Sequence, residues 1–181
     1  MSTIKSYPTA AKFMHWLSAL LIICMLFLGV SMIQSLAPWH TSAIMLHQSV
    51  GVLILLLVSV RLINRFFFQA PALPAEIGRA QYIAAKASQV LLYVLMIALP
   101  ISGWLMRNAA GLPVSFFGLF ELPICINAGL DVYGFYRELH ALIAWLLFVV
   151  IVLHISAALH HGFIRQDSVL PSMLFKCRWR K

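Results

Sequence analysis

Long apolar runs separated by short polar segments dominate the chain. Four such runs, at roughly residues 11–33, 42–63, 87–106 and 138–163, are each at least 20 residues long. A helix of about 20 apolar residues rises about 30 Å, which is enough to cross the hydrocarbon core of a bilayer. The pattern predicts an all-α fold, an integral membrane four-helix bundle in which residues 1–181 form a single membrane domain.

The segments between these spans contain most of the helix-breaking residues. Pro71 and Pro74 predict a loop after the second span, followed by a short interfacial helix. Pro100 lies inside the third span and predicts a kink there. The longest connection, residues 107–136, is unusually apolar, so we expect it to lie on the membrane surface as a lid.

Composition supports a membrane protein. The chain is 62% hydrophobic and 10% charged, whereas soluble domains are about half apolar and about a quarter charged. The net charge of +8 comes from residues that flank the spans, and no basic stripe with interleaved aromatics predicts a nucleic-acid partner. The three cysteines have no metal-binding spacing and predict no disulfide.

The distribution of basic residues predicts the orientation of the bundle. With a cytoplasmic N-terminus, 11 of the 13 lysines and arginines lie on the cytoplasmic side, and only Arg107 and Arg137 lie on the other. Because cytoplasmic loops carry the excess of Lys and Arg, both termini are expected in the cytoplasm. Residues 164–181 are then a basic cytoplasmic tail.

Histidines inside the spans are the candidate functional residues. His140 and His154 lie 14 residues apart in the fourth span, which places them about 40° apart around the helix and about 21 Å apart along it. A polar side chain inside the bilayer is costly without a partner, so two of them on one face indicate a functional role. The alternative is that each imidazole is a packing residue hydrogen-bonded across helices.

The predicted topology assigns a depth to each histidine. His15 in the first span lies near the cytoplasmic side with His154, and His47 in the second span lies near the outer side with His140. Haem iron takes an axial imidazole on each face, so the depths predict two stacked bis-histidine sites. By depth alone His161, two turns beyond His154, remains a rival partner for His15. Zinc is less favoured because it wants four clustered ligands.

Haem propionates require cationic or hydrogen-bonding partners near each site. Arg61, 14 residues after His47, reaches the level of the inner site, where Lys12 is a further candidate. Arg137 and His40 are candidates for the outer site. Arg65 is instead placed to extend to the inner membrane surface.

Five stretches of the chain carry a family resemblance: FMHWLSALLI, MLHQSVGVLILLLVSVRLINR, LLYVLMIALPISGWLM, VSFFGLFELP and ELHALIAWLLFVVIVLHISAALHHGFIRQD. Together they resemble the bacterial cytochrome b561 family, the four-helix di-haem b-type cytochromes of the inner membrane. The resemblance covers essentially the whole chain. It implies two haem b groups (iron protoporphyrin IX) ligated by His15, His47, His140 and His154, in a multi-pass protein of the bacterial inner membrane, and it favours His154 over His161.

The resemblance also implies electron transfer between ubiquinone or another membrane quinone and an outer-side donor or acceptor. One branch of the family oxidises superoxide and reduces ubiquinone. Related chains often have a histidine in the third span where this chain has Gln89. The outer loops carry two arginines against three acidic residues, so they offer no evident attraction for an anion such as superoxide.

Two other functions remain open from the sequence. One is a cytochrome b anchor subunit for a periplasmic oxidoreductase, with the long outer loop as the docking surface for a periplasmic redox protein. The other is a non-redox membrane transporter or assembly factor whose histidines are structural. Membrane lipid is a partner under every reading.

Overall fold

The computed structural model describes residues 6–33, 37–67, 77–126 and 128–175. Four long helices account for most of these residues. They are α1 (Thr9–Ile33), α2 (His40–Phe67), α3 (Arg79–Ala109) and α4 (Leu130–Leu159). Each of the four is long and apolar enough to cross a membrane, which confirms the predicted all-α bundle.

The third and fourth helices begin earlier than their apolar runs. Helix α3 begins at Arg79 and not at residue 87, and α4 begins at Leu130 and not at residue 138. The added turns contain polar residues near the membrane surface, which an apolar pattern does not detect. The predicted interfacial helix therefore forms the first turns of α3, and α3 continues through Pro100. Pro71 and Pro74 lie outside the described residues.

The connection between α3 and α4 contains an antiparallel hairpin where the sequence predicted only a lid loop. Its strands are β1 (Val114–Phe116) and β2 (Phe120–Leu122). Phe117 and Gly118 adopt positive φ angles of 49° and 73° in the turn, a conformation that glycine accepts without steric cost. Val114 is buried, and the Ser49 hydroxyl on α2 accepts a hydrogen bond from the Phe117 amide. We call this the hairpin end of the bundle.

The first and last described segments of the chain meet at the opposite end, where the Tyr7 amide donates to the Ser172 carbonyl; we call this the terminal end. A π-helical segment (His160–Arg165) continues α4 and leads to the short helix α5 (Val169–Met173). Trp16 of α1 donates its indole N–H to the Met173 carbonyl, so α5 is held against the start of α1. The predicted basic tail is thus ordered at its beginning, while residues 176–181 lie outside the described residues.

The interior is arranged in three layers that are spaced by seven residues, about two turns, along every helix. The middle layer belongs to the buried apolar core and contains Ile22, Ile54, Met96 and Leu147. The hairpin layer contains Gly29, His47, Gly103 and His140. The terminal layer contains His15, Arg61, Gln89 and His154. An apolar core therefore separates two layers that carry the functional candidates.

Candidate functional site

The hairpin layer brings the imidazole ring of His47 in α2 close to that of His140 in α4. Their ring centroids are 6.3 Å apart and their planes are inclined by 69°. The Nδ1 atom of His140 lies 3.0 Å from the Leu99 carbonyl and 3.0 Å from the Ser102 hydroxyl. An Nδ1–H that donates to a carbonyl leaves the Nε2 lone pair free for a metal, the arrangement usual for metal-binding histidines.

Two glycines give these rings their space. A Cβ atom on Gly103 would lie 3.1 Å from His140 Cε1, and one on Gly29 would lie 3.5 Å from His47 Cε1. The first distance is tighter than ordinary van der Waals contact, whereas the second is ordinary contact. A side chain at position 103 would therefore crowd the His140 ring and force it to shift.

The terminal layer brings His15 of α1 and His154 of α4 together in the same way. Their ring centroids are 6.4 Å apart and their planes are inclined by 59°. The Arg61 guanidinium donates to the Ser18 hydroxyl, and its second terminal nitrogen lies 3.1 Å from His15 Nδ1. Its guanidinium carbon also lies 5.8 Å from the centroid of the Tyr93 ring. Arg61 thus lies at the depth that the sequence predicted for it.

The spacing of both pairs fits an ion bound between opposed imidazoles. A metal–imidazole nitrogen bond is about 2.0–2.1 Å long, so two rings on opposite sides of one ion have centroids roughly 6 Å apart. Within the described residues, no group of three or more His, Cys, Asp or Glu side chains could hold a metal ion. Two axial imidazoles without further protein ligands suit haem, in which the porphyrin supplies the other donors.

Unpaired polar atoms are concentrated at one end of the bundle. Four buried side-chain nitrogens in the described part of the chain have no hydrogen-bond partner: His47 Nδ1, Gln48 Nε2, Arg107 Nε and Asn108 Nδ2. All four belong to the hairpin ends of α2 and α3. Because an unpaired buried donor typically costs about 1–3 kcal/mol, this end is suited to an added hydrogen-bond acceptor.

The other predicted cationic partners lie further from the paired rings. Lys12 donates to the Leu174 carbonyl and to Ser6, because α5 folds back over the start of α1. The Arg137 side chain is 59% exposed and pairs with Glu138 at 3.4 Å, since it lies on the outward side of α4. His40 begins α2, two turns before His47. The structure therefore brings only Arg61 of the four into contact with a paired histidine.

Two residues that the sequence left open have clear partners. His161 Nδ1 lies 2.5 Å from an Asp167 carboxylate oxygen, and His154 is the ring that faces His15. Arg65 donates to Gln89 Oε1 at 2.9 Å, so it is engaged within the bundle and does not only extend to the surface. Gln89 thus anchors an arginine one turn beyond Arg61.

A pocket opens at the terminal end beside Arg61. Its lining includes Met14, Arg61, Asn64, Arg65, Tyr93 and Met173. The arginines and the asparagine can hydrogen-bond to a polar head group, while the methionines and the tyrosine ring offer apolar contact. The pocket combines the two features that amphipathic small-molecule sites require.

Four membrane-spanning helices with a stacked pair of opposed histidine couples define a membrane-bound b-type cytochrome. A sequence model of the family described as "Prokaryotic cytochrome b561" matches residues 6–176. The chain therefore belongs to the prokaryotic cytochrome b561 family, as its motifs predicted.

Named relatives agree over nearly the whole length of the chain. The chain is 34% identical to "Cytochrome b561 homolog 2" of Escherichia coli (strain K12), over 97% of this chain and 94% of that protein. It is 30% identical to "Probable superoxide oxidase CybB" of Yersinia pestis, over 96% and 98%. It is 24% identical to "Cytochrome b561 homolog 1" of Escherichia coli (strain K12), over 90% and 93%.

Family membership establishes the general function. The protein is a haem b-binding membrane cytochrome of electron transport, and its spans make it a multi-pass protein of the bacterial inner membrane. The non-redox transporter or assembly factor that the sequence left open is wrong, because the family is one of cytochromes.

Sequence reasoning missed the residues that support the paired rings. Ser102 and Gly103 contact His140, and Ser18 and Tyr93 contact Arg61. The signal for Gly29 and Gly103 was available, because each falls on the same seven-residue register as the histidines. Ser18 and Ser102 gave no such signal, because a serine in a span usually bonds its own helix backbone.

Proposed function

We propose that the chain is a di-haem b cytochrome, with one haem between His47 and His140 and another between His15 and His154. The observation that carries this proposal is the repeated geometry of the two ring pairs, at 6.3 Å and 6.4 Å between centroids. One pair would be as easily explained by packing, but two with matching separation on one helix face are difficult to explain without two bound groups.

The protein's own residues set the conditions at each site. Leu99 and Ser102 orient the His140 ring through Nδ1, and Arg61 offers a guanidinium for a carboxylate at the terminal layer. The apolar surround keeps water away and raises the strength of these polar contacts. Haem b, when bound, supplies reversible one-electron oxidation and reduction.

We propose that electrons pass between a membrane quinone at the terminal end and a donor or acceptor at the hairpin end. Positive-inside counting favours a cytoplasmic terminal end, which makes the hairpin end periplasmic. The pocket beside Arg61 is the candidate site for the quinone head group, since it combines arginine and asparagine donors with apolar walls. Replacing Asn64 by leucine should raise the KM for a soluble quinone analogue while both haems remain bound.

Superoxide is one candidate donor, because a relative at 30% identity is named a probable superoxide oxidase. In that reaction two superoxide anions each lose one electron and become O₂, and one quinone gains two electrons and two protons. The hairpin end has Arg107 and Arg137 against three acidic residues, and Arg137 is paired with Glu138. We therefore expect a superoxide rate that rises little at low ionic strength, in contrast to a sterically similar site with a positive field.

The alternative is an anchor subunit for a periplasmic oxidoreductase. The exposed apolar side chains of the hairpin, Phe117, Leu119 and Phe120, favour it as a contact surface. Stable co-purification of a periplasmic redox protein, with no quinone reduction by the isolated chain, would support the anchor over the self-sufficient cytochrome.

The decisive experiment is haem quantitation with a redox-titrated visible spectrum of the purified protein. Two haems per chain are expected, with one lost in His47→Ala and one lost in His154→Ala. His160→Ala, which changes an exposed histidine at the end of the same helix, is the matched control and should retain both. His161→Ala tests the rival ligand. A colourless protein, or retention of both haems in His47→Ala and in His154→Ala, would contradict the proposal.

A further inference from the structure

The unpaired polar atoms at the hairpin end share one chemical requirement. Gln48 Nε2 and Arg107 Nε lack a partner in the described part of the chain, and both are hydrogen-bond donors with no acceptor capacity. The group that satisfies them must therefore offer acceptor oxygens. The buried Nε belongs to a guanidinium, and its positive charge favours an acceptor with negative charge.

Helical geometry directs Arg107 toward the ring pair of the hairpin layer. Gly103 faces His140, since a Cβ atom there would touch the ring. Arg107 lies four residues further along α3, which places it on the same face and about 6 Å nearer the hairpin end. Gln48 directly follows His47 in α2. Arg107 therefore lies on the face of α3 that contacts His140, while Gln48 lies in the same turn of α2 as His47, about 100° around the helix from it.

Neither donor has a competing role in the fold. In the described residues the Arg107 side chain makes no hydrogen bond and no ion pair, whereas Arg61, Arg65 and Arg165 each donate to a named side chain. Asn108, the neighbour of Arg107, is different because its Oδ1 accepts the Cys125 amide. The Arg107 side chain is half-buried, with its Nε atom fully buried, and it is free to bind a ligand.

We propose that Arg107, with Gln48, binds an anionic acceptor at the hairpin layer, and that this acceptor is the carboxylate edge of the haem held by His47 and His140. The inference rests on the proposed di-haem function. It replaces Arg137, which is exposed and paired with Glu138, as the cation of that site. A small free anion has the same chemistry, so the experiment separates the two sources.

The test uses the purified holoprotein and measures haem release to excess apomyoglobin, together with the two midpoint potentials. Removing one charge-assisted contact in Arg107→Leu should speed release of one haem by about tenfold or more and lower its potential. Arg107→Lys, which keeps the charge but not the planar fork, should lie between. Gln48→Glu should act in the same direction, because a carboxylate there repels another carboxylate.

Controls identify the haem and the cause. The spectrum of His47→Ala defines the haem that remains in the terminal layer, and that haem also reports on folding in every variant. Arg79→Leu makes the same charge change at the exposed other end of α3 and should leave both haems unaffected. Arg137→Leu tests the other arginine near the hairpin end, which the sequence predicted as the cation of this site.

Three outcomes would overturn the inference. The first is wild-type release and potentials in Arg107→Leu. The second is a shift in Arg137→Leu without one in Arg107→Leu. The third is a midpoint potential that depends on phosphate in the wild type but not in Arg107→Leu, while the rate of haem release is the same in both proteins. That result would assign the two donors to a free anion. A wild-type protein with a single haem would contradict the di-haem proposal itself. Haem quantitation of the wild type alone shows this, so the two failures can be told apart.

Discussion

The terminal layer and the hairpin layer share one helical register but satisfy their polar side chains differently. At the terminal end Arg61 bonds Ser18 and His15, and Arg65 bonds Gln89. Further out, Lys12 bonds the Leu174 carbonyl. At the hairpin end, by contrast, Arg107 Nε has no hydrogen-bond partner among the residues that the structure describes. Protein groups thus satisfy the cationic side chains of the terminal end, whereas the hairpin end keeps hydrogen-bond donors that a ligand can use.

This difference implies that the two layers depend on bound haem to different degrees for their stability. A polar group that is satisfied by protein contributes to stability in the absence of ligand, whereas an unpaired buried donor is costly until a ligand binds. The terminal layer should therefore persist in protein without haem, and the hairpin layer should gain more order when haem is added. Hydrogen exchange of the two layers before and after haem binding measures this directly.

The largest expected effect comes from filling the space beside His140. In Gly103→Val the added side chain starts with a Cβ atom 3.1 Å from the ring, and its methyl groups extend further. We expect loss of the haem of the hairpin layer and retention of the other, measured as a fall from two haems per chain to one.

The control for this substitution is Gly51→Ala, where an added Cβ atom meets nothing within 4 Å. It should keep both haems. Loss of the terminal-layer haem in Gly103→Val, or equal loss of both, would show that the two layers are not independent.

Arg61 offers the matching test at the terminal layer. Arg61→Leu removes the donor to Ser18, whose side chain is fully buried, and the contact to His15. We expect about 1–3 kcal/mol lower free energy of unfolding and weaker binding of the haem between His15 and His154. Thermal unfolding with haem quantitation checks both. If Arg61→Leu has the same free energy of unfolding and the same haem content as the wild type, the proposed difference between the two layers is wrong.

A smaller effect is expected where the hairpin is fastened to α2. Ser49 accepts the Phe117 amide and lies 3.2 Å from the Ser115 carbonyl. Ser49→Ala should cost about 1–2 kcal/mol and raise hydrogen exchange in residues 114–122, with both haems retained. If exchange there does not change, the hairpin is held mainly by the burial of Val114.

The smallest effect is expected at the terminal end. Trp16→Phe removes a single hydrogen bond to the Met173 carbonyl and keeps most of the aromatic contact. We expect a loss of about 0.5–1.5 kcal/mol, seen as faster proteolysis within residues 169–175. Should cleavage there match the wild type, the contacts of Lys12 and of the Tyr7 amide are sufficient to hold α5.

The spans and the ring pairs were predictable because both depend on periodicity. Apolar runs of bilayer length show where helices cross, and a spacing of 14 residues puts His140 and His154 on one face. Arg61 was predictable by the same arithmetic from His47. These inferences need only the geometry of single helices and a topology.

The hairpin, the early start of α4 and the unpaired Nε of Arg107 were not predictable in this way. Each depends on which surfaces meet between helices. The prediction that Arg137 and Lys12 serve the haems used depth alone, and depth does not reveal which direction a side chain takes. Asn108, fully buried and bonded to the Cys125 amide, shows how such contacts arise from residues far apart in the sequence.

The apolar middle layer has a consequence for bioenergetics. Ile22, Ile54, Met96 and Leu147 offer no proton-accepting group along the path between the two histidine couples. None of these four side chains can relay a proton, so an electron that moved from one couple to the other would not be accompanied by a proton passing through them. The free energy of such a transfer would depend on the membrane voltage, by about 2.3 kcal/mol for each elementary charge that crosses 100 mV.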